Sequence, residues 1–455
     1  MREPSGLLRQ ETVSTQLLSP VALPEPSLPE VHSSVRISSS PIYWRRLLGF
    51  LGPGFLISVG YMDPGNWATD IAGGSRFGYT LLFVIMASNL MAILLQSLSL
   101  KLGVGTERDL AQLCHDSYGR RASFALWVGA EIAIAACDLA EVIGSAIALN
   151  LLFHIPLFYG VLITGVDVLL ILVIQRWGFR YVEALVITLI GTIIAMFGVQ
   201  MFLSRPEYWP VFKNLLIPSP AIVSNPDMLY IAIGILGATV MPHNLYLHSS
   251  IVQSRRYKRT PQGKREAIFM ANVDSALALT IALFVNAAIL IVAAAVFNRS
   301  GHFEVAAIQD AYKLLSPLLG AAGASTLFAI ALLASGQNSS ITGTLAGQVV
   351  MEGFIHIRVS PWLRRLITRS LAIIPTIIVV AVTGEQGTEK LLILSQVILS
   401  LQLSFAVVPL VIFTGSRKMM GEFVNGRWLQ GLAWFTAALI AGLNAWLLIE
   451  TAMGR

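Results

Sequence analysis

The chain has 455 residues, of which 55% are hydrophobic and only 12% are charged, and its formal net charge is +6. Soluble domains usually carry roughly 25% charged residues, so this composition excludes an ordinary soluble protein. The two cysteines, Cys114 and Cys137, are too few for a disulfide framework or a cysteine zinc site. Apolar runs of about 20 residues recur, which predicts an all-α polytopic membrane protein.

The chain begins with a segment, residues 1–44, that is rich in Ser, Pro, Leu and Glu and has no sustained helical period. It has no long apolar stretch behind a basic start, so a secretory signal is not expected. We expect a disordered cytoplasmic tail here. Residues 45–455 are predicted to form a single membrane domain.

Eleven apolar segments follow, and each is long enough to cross a bilayer. Their limits are predicted at 47–75, 79–102, 121–150, 154–175, 181–203, 229–252, 267–297, 318–350, 363–383, 389–414 and 430–450.

The distribution of Lys and Arg predicts the orientation of these spans. With the N-terminus inside, the tail and the even-numbered loops with their flanking helix ends hold 24 of the 31 basic residues, and the external side holds seven. The sequence therefore predicts a multi-pass protein of the inner or plasma membrane, with a cytoplasmic N-terminus and an external C-terminus. The strongest basic run, residues 255–265, lies between two spans, which favours a cytoplasmic loop over a nucleic-acid site.

Two spans carry a matched interruption, DPGN at 63–66 in span 1 and MPHN at 241–244 in span 6. Each opens a block of five spans, which predicts an inverted repeat of about 45–205 and about 227–415, with helix 11 at about 430–450 outside it. Proline removes a backbone donor and unwinds the helix, and the carbonyl oxygens it frees suit a cation. A simple proline kink is the alternative, and two matched breaks disfavour it.

The side chains at the breaks indicate the kind of cation. Asp63 supplies an anionic oxygen, and a carboxylate at the bilayer centre costs roughly 2.5–3.5 kcal/mol, so it normally has a partner or a task. Asn66 offers an amide oxygen, and Met241 offers a thioether sulfur with little affinity for Mg²⁺ or Ca²⁺. Oxygen and sulfur together favour a first-row transition metal.

Span 3 carries three acids, Glu131, Asp138 and Glu141, whose spacing puts them on one helix face. If these acids have only a structural role, ion pairing is the main explanation for their presence within the membrane. Three arginines at the start of span 9 are the possible partners, and the sequence does not choose among them: Arg364, Arg365 and Arg369.

His243 and His248 are five residues apart, so they do not form an HExxH zinc face. A lone buried His is usually hydrogen-bonded core, but two beside a metal site and an acid face are candidates for a proton relay. The amides of Asn286 and Gln396 are expected to bridge helices by default.

The motifs DPGN at 63–66, DLAE at 138–141 and MPHNLYLHS at 241–249 occur together, and they resemble the Nramp family of proton-coupled divalent metal transporters. The similarity covers about residues 45–450 and is closest to the bacterial branch. It implies a LeuT-like fold of 11 transmembrane helices, with spans 1–5 and 6–10 as inverted repeats. One departure is Ser404 in span 10, where proline is expected.

The resemblance also implies roles for residues at matching positions. Metal binding is assigned to Asp63, Asn66, Met241, the carbonyl of Gly60 or Ala238 according to conformational state, and Gln396 in an occluded state, with Asn286 acting through water. Proton handling is assigned to Asp63, His243, Asp138 and Glu141, with Glu131 and one arginine of span 9.

The implied function is proton-coupled import of Mn²⁺, Fe²⁺ and similar ions by alternating access, with no permanently bound cofactor. The expected partners are the metal ion, protons and the lipid bilayer. A Na⁺-coupled carrier of small organic solutes on the same fold is the alternative, but it would favour a wider and less acidic pocket. An enzyme is disfavoured because no nucleophile motif or closed His/carboxylate set is present, and matched breaks favour alternating access over a passive channel.

Overall fold

The structure is a computed structural model that describes residues 26–453, except 30, 39, 41, 306, 357–359 and 384–385. The part described is mostly helical, and a helix or a broken helix lies at each of the eleven predicted positions. Spans 1 to 5 are Pro53–Ser58 with Pro64–Phe77, Leu82–Thr106, Arg120–Phe153, Leu157–Trp177 and Phe179–Ser204. Spans 6 to 11 are Pro226–Thr239 with Pro242–Ile251, Pro261–Ala293, Ala324–Ile355, Pro361–Thr383, Gln386–Gly415 and Arg427–Ala452.

Shorter elements connect the spans. The short α-helices are Tyr43–Phe50, Leu110–Ser117, Tyr208–Leu216, Ala221–Ser224, Ile308–Leu319 and Arg417–Met420. Single 3₁₀ turns lie at Gly60–Met62, Val252–Ser254 and Gly421–Phe423, and a π-helical turn, Ala294–Asn298, extends span 7.

Within the described residues, seven helices are long and apolar enough to cross a membrane: spans 2, 3, 5, 6, 7, 10 and 11. Two shorter apolar helices, Pro53–Met62 and Arg369–Val382, belong to spans 1 and 9. Eleven crossings therefore remain a prediction.

The broken spans lie at the centre of the molecule. The apolar stretch of span 6 is 94% buried within the protein and those of spans 3 and 7 are 78% buried, whereas spans 5 and 11 are buried over only a third of their length. Spans 5 and 11 therefore lie at the periphery, and the interrupted backbone is surrounded by protein, where its polar groups can be satisfied.

The second half of the predicted tail is packed against one end of the helical bundle. Val35–Arg36 pairs in parallel with Arg255–Arg256, in a register that aligns Val35 with Arg255. Leu28 is fully buried, and its N–H donates to Glu352 Oε2 over 2.9 Å. The expected disorder does not hold for residues 26–38 without 30, here called the N-terminal strap, because Leu28, Val31 and Val35 are buried there. Residues 1–25 lie outside the described part.

Candidate functional site

Both breaks place a proline at the first position of a new helix. Asp63 is extended, with φ −68° and ψ 166°, and Pro64 begins the second half of span 1. Met241 is also extended, with φ −82° and ψ 125°, and Pro242 begins the second half of span 6. Proline needs no hydrogen bond at this position, so each break is a helix end followed by a helix start.

The first break brings several predicted ligands together around the Asn66 side chain. Asn66 Nδ2 donates to Asp63 Oδ1 over 2.6 Å, to the carbonyl of Ala238 over 3.0 Å and to the carbonyl of Gly60 over 3.3 Å. Asp63 also caps its helix by accepting from the Asn66 N–H at 2.8 Å. Its second oxygen, Oδ2, is buried and has no hydrogen-bond partner among the described residues. Three oxygens therefore surround the position of Asn66 Nδ2, and Asp63 Oδ2 is available as a further ligand.

Met241 borders this point from the second break. A Cβ placed on Gly60 would lie 3.1 Å from Met241 Sδ, so the sulfur lies against the backbone of the first break. Met241 is fully buried with Ala133, Cys137 and Leu399 of spans 3 and 10. Its sulfur therefore lies beside the oxygens but within an apolar group.

Gln396 and Asn286 also reach the breaks. A Cβ on Gly65 would lie 1.8 Å from Gln396 Nε2, so the Gln396 amide packs directly on the first turn after the break. Gln396 Oε1 is buried without a hydrogen-bond partner in the described part of the chain. Asn286 Nδ2 donates to the Tyr61 carbonyl over 2.6 Å and to Asn66 Oδ1 over 3.4 Å.

Ser404 occupies a position within the continuous helix Gln386–Gly415, which also contains Pro409. Its hydroxyl accepts from Asn444 Nδ2 of span 11 over 3.1 Å. At this departure from the family pattern, span 10 therefore has a hydrogen bond to its neighbour.

Among the described residues, Arg369 lies beside two of the acids of span 3. Arg369 Nη1 lies 3.5 Å from Glu141 Oε2 and 4.0 Å from Asp138 Oδ1, and Nη2 donates to Ser340 Oγ. Glu131 lies farther along the helix and accepts from Trp127 Nε1 over 3.1 Å. The side chains of Arg364 and Arg365 lie outside the described part.

The two histidines have different surroundings. His243 is buried, and neither ring nitrogen has a hydrogen-bond partner among the residues described. His248 Nδ1 lies 2.9 Å from Gln96 Oε1, and Gln96 Nε2 donates to Tyr61 Oη over 2.9 Å. His248 is thus linked through Gln96 to the first break, whereas His243 lies directly beside the second.

Sequence reasoning missed Tyr61 and Gln96, although a buried amide within an apolar span was a usable signal. It also missed a buried cluster at the start of span 1, which consists of Arg255, Glu183 and Asp274 and is here called the Arg255 clamp. Arg255 Nη2 lies 2.8 Å from Glu183 Oε1, and the Asp274 carboxylate accepts from the N–H groups of Gly52 and Gly54 at 3.1 and 2.6 Å. The sequence signal for this cluster was the presence of the acids Glu183 and Asp274 inside spans 5 and 7.

Among the residues that the structure describes, no group of three or more His, Cys, Asp or Glu side chains is placed to hold a metal ion. A cation at the breaks would instead depend on one carboxylate, an amide, carbonyl oxygens and a thioether. This mixed donor set suits a borderline transition metal better than a hard alkaline-earth ion.

Comparison with known proteins adds an independent finding. The family model described as "Natural resistance-associated macrophage protein-like" matches residues 54–450. The chain is 62% identical over 429 residues to the "Divalent metal cation transporter MntH" of Nostoc sp., covering 94% of this chain and 97% of that one. That relative is named as a transporter, not as an enzyme.

The fold is shared with two solved structures. The crystal structure of the Eremococcus coleocola manganese transporter has a TM-score of 0.87 and 45% identity, covering 93% of this chain and 90% of that one. A nucleobase-cation-symport-1 family transporter has a TM-score of 0.59 at 15% identity, covering 88% and 93%, and this likeness shows the fold alone. The predicted LeuT-like fold class is confirmed.

Proposed function

Because the chain belongs to the Nramp family, we propose that it imports divalent transition-metal ions across the cell membrane together with protons. Mn²⁺ is the main expected substrate, and Fe²⁺ and similar ions are expected to share the site. The names of the Nostoc and Eremococcus proteins, a divalent metal cation transporter and a manganese transporter, support this choice of metal.

The observation that carries the proposal is the convergence on Asn66 Nδ2 of three oxygens, Asp63 Oδ1, Ala238 O and Gly60 O. The three oxygens that accept from this N–H donor would also surround a cation placed at the same point. A rotation of the carboxamide that moves Nδ2 out of this position and turns Oδ1 toward it would make room for the cation and add a fourth oxygen. Met241 Sδ beside Gly60 would then complete a set that favours transition metals.

The contacts that hold the two breaks support the proposed alternating access. The start of span 1 is fixed below the break by the Arg255 clamp, through the N–H groups of Gly52 and Gly54. Tyr61 is joined to span 6 through Gln96 and His248. In the proposed cycle, release of these contacts moves the first half of span 1 and opens the site to the cytoplasm.

The proposed proton route starts at Asp63 and ends at the cytoplasm. A metal ion competes with a proton for the Asp63 carboxylate, so binding releases the proton. His243, whose ring nitrogens have no described partner, lies two residues after Met241 and can accept it. Asp138 and Glu141, paired with Arg369, form the next step along span 3. His248 and Glu131 are proposed as further members.

The topology is part of the proposal. The N-terminus and the basic 255–265 loop are placed in the cytoplasm and the C-terminus outside, because 24 of the 31 Lys and Arg residues then lie on the cytoplasmic side.

The test is uptake by the purified protein in proteoliposomes, with metal flux and internal acidification followed together. Mn²⁺ and Fe²⁺ should enter faster under an inward proton gradient and acidify the interior, whereas Ca²⁺ and Mg²⁺ should not enter. Uptake that follows a Na⁺ gradient and ignores the proton gradient would contradict proton coupling. Absence of Mn²⁺ flux under both gradients would contradict metal import.

A further inference from the structure

A cavity of about 610 Å³ lies at the first turn of span 3, away from both helix breaks. Span 3 contributes Arg120, Arg121, Ser123, Phe124 and Trp127 to its wall. The end of span 8 and the short helix before span 3 close the other sides, through Phe354 and His115. By the charge distribution, this is the cytoplasmic end of the bundle.

The wall is positively charged. Arg120 and Arg121 are exposed, and neither forms an ion pair with a residue that the structure describes. The nearby acid Asp116 is already paired with Arg108. Gly119 precedes the helix and offers no side chain to cap it, so the first N–H groups of span 3 add to the positive potential.

A buried hydroxyl in the same wall supplies a second, independent observation. Ser123 is only 3% exposed, and its Oγ has no hydrogen-bond partner in the described part of the chain. Buried polar groups are nearly always hydrogen-bonded, so an orphaned hydroxyl in a cavity wall indicates a partner from outside the chain. Beside two arginines, that partner is expected to be an anionic oxygen.

An apolar stripe runs from the cavity along the outside of span 3. Phe124, Val128 and Ile132 follow one another at four-residue spacing, and they are 56%, 36% and 54% exposed. Residues four apart lie on one helix face, so the stripe is continuous and faces the bilayer. An acyl chain packs favourably along such an apolar stripe, whereas a free inorganic anion does not.

We propose that this cavity binds the phosphate headgroup of an anionic membrane lipid, with one acyl chain along Phe124, Val128 and Ile132. Arg120 and Arg121 pair with the phosphate, and Ser123 donates to one of its oxygens. The site is separate from the metal site and does not depend on the proposed transport function.

The position of the cavity gives the lipid a route to the acid face of span 3. Trp127 lines the cavity, and its Nε1 donates to Glu131 Oε1 over 3.1 Å. A lipid in the cavity would therefore contact the side chain that donates a hydrogen bond to Glu131.

The experiment uses the full-length purified protein in a neutral detergent, with dioctanoyl-phosphatidylglycerol as the probe and native mass spectrometry as the readout. Dioctanoyl-phosphatidylcholine is the uncharged comparison. The Arg120→Gln/Arg121→Gln variant should lose roughly 30-fold in affinity for phosphatidylglycerol, since each basic residue near a membrane surface contributes about fivefold. Ser123→Ala should lose affinity by a smaller factor.

The matched control is Arg417→Gln/Lys418→Gln, which removes two exposed charges from a short helix assigned to the same side of the membrane. This variant should bind the lipid like the unmodified protein. Equal losses in both double variants would overturn the proposal, because the effect would then be one of net charge.

The source of the phosphate is tested with inorganic phosphate and with Phe124→Ser. The proposal expects phosphatidylglycerol to resist competition by inorganic phosphate, and Phe124→Ser to weaken lipid binding. If inorganic phosphate displaces the lipid at equal concentration and Phe124→Ser has no effect, the site binds free phosphate and the lipid proposal is wrong.

Discussion

Asn66 Nδ2 lies 2.6 Å from Asp63 Oδ1, and the same nitrogen donates to two backbone carbonyls, one from each broken span. The carboxamide thus cross-links the two breaks at the point proposed for the metal ion. Exchange of this N–H donor for a cation would replace hydrogen bonds with coordination bonds to the same oxygens, with little movement of the backbone.

Asp63→Asn should abolish Mn²⁺ binding and uptake. Asp63 is the only carboxylate in the proposed ligand set, and an amide both lacks its charge and presents a donor to Asn66. Isothermal titration calorimetry measures the binding. Asp70→Asn is the matched control, because Asp70 is a buried acid on the same helix. Asp63→Asn with near-normal uptake would contradict the proposed site.

Met241→Ala should keep part of the Mn²⁺ transport but admit Ca²⁺ or Mg²⁺. The thioether contributes little to hard cations, and its removal leaves room for a water molecule that they prefer. Uptake of all three ions by proteoliposomes is the measurement. Met62→Ala, another buried methionine at the first break, is the control for lost volume. If Met241→Ala still excludes both hard ions, selectivity resides elsewhere.

Asp138→Asn should bind Mn²⁺ with near-normal affinity but take it up slowly and with less dependence on external pH. Asp138 lies 4.0 Å from Arg369 and is not among the proposed metal ligands, so its loss affects the proton route. Metal flux and internal acidification are recorded in the same proteoliposomes. Abolished metal binding would place span 3 in the metal site, and unchanged flux and acidification would make the acid purely structural.

Gly65→Ala should reduce transport by displacing Gln396. The added Cβ would lie 1.8 Å from Gln396 Nε2, and the buried amide must turn away from the break. Mn²⁺ uptake and thermal stability are measured together. Gly65→Ala/Gln396→Ala should recover stability without recovering transport.

The control for Gly65→Ala is Gly198→Ala, where a Cβ meets nothing within 4 Å. Alanine stabilises an exposed helix position by about 1 kcal/mol relative to glycine, so this variant should be slightly more stable and fully active. If Gly65→Ala takes up Mn²⁺ as fast as Gly198→Ala, the position of the Gln396 amide does not affect transport.

The N-terminal strap should loosen as the pH falls below about 6.5. His32 Nε2 accepts from Arg259 Nη2 at 3.0 Å, which requires a neutral ring. Burial and the Arg259 charge lower the pKa of His32 from its ordinary value of 6.5. Because the folded pKa is lowered, the docked strap loses stability as the undocked His32 takes up its proton.

Limited proteolysis of the strap above and below about pH 6.5 measures this release. His32→Gln can still accept from Arg259 but cannot titrate, so its cleavage should depend less on pH. The same pH dependence in His32→Gln as in the unmodified protein would assign the effect to another group.

The sequence alone determined the class of protein, the positions of the helices and the two breaks. These features depend on local properties: an apolar run of fixed length, and a proline that cannot continue a helix. The residues that flank those prolines, Asp63, Asn66 and Met241, could therefore be proposed as ligands before any contact was known.

The tertiary structure alone decided which side chains meet across the bundle. Arg369 reaches Glu141 across 228 residues of chain, and nothing local distinguished it from Arg364 and Arg365. Disorder was expected for the N-terminal strap because it is rich in Ser, Pro, Leu and Glu and has no sustained helical period, yet Leu28 and Val35 are buried by contacts with distant segments. Span 6 supplies a carbonyl to Asn66 172 residues away. Such pairings depend on how helices pack, because burial and hydrogen bonding between distant segments have no signature in the sequence around either partner.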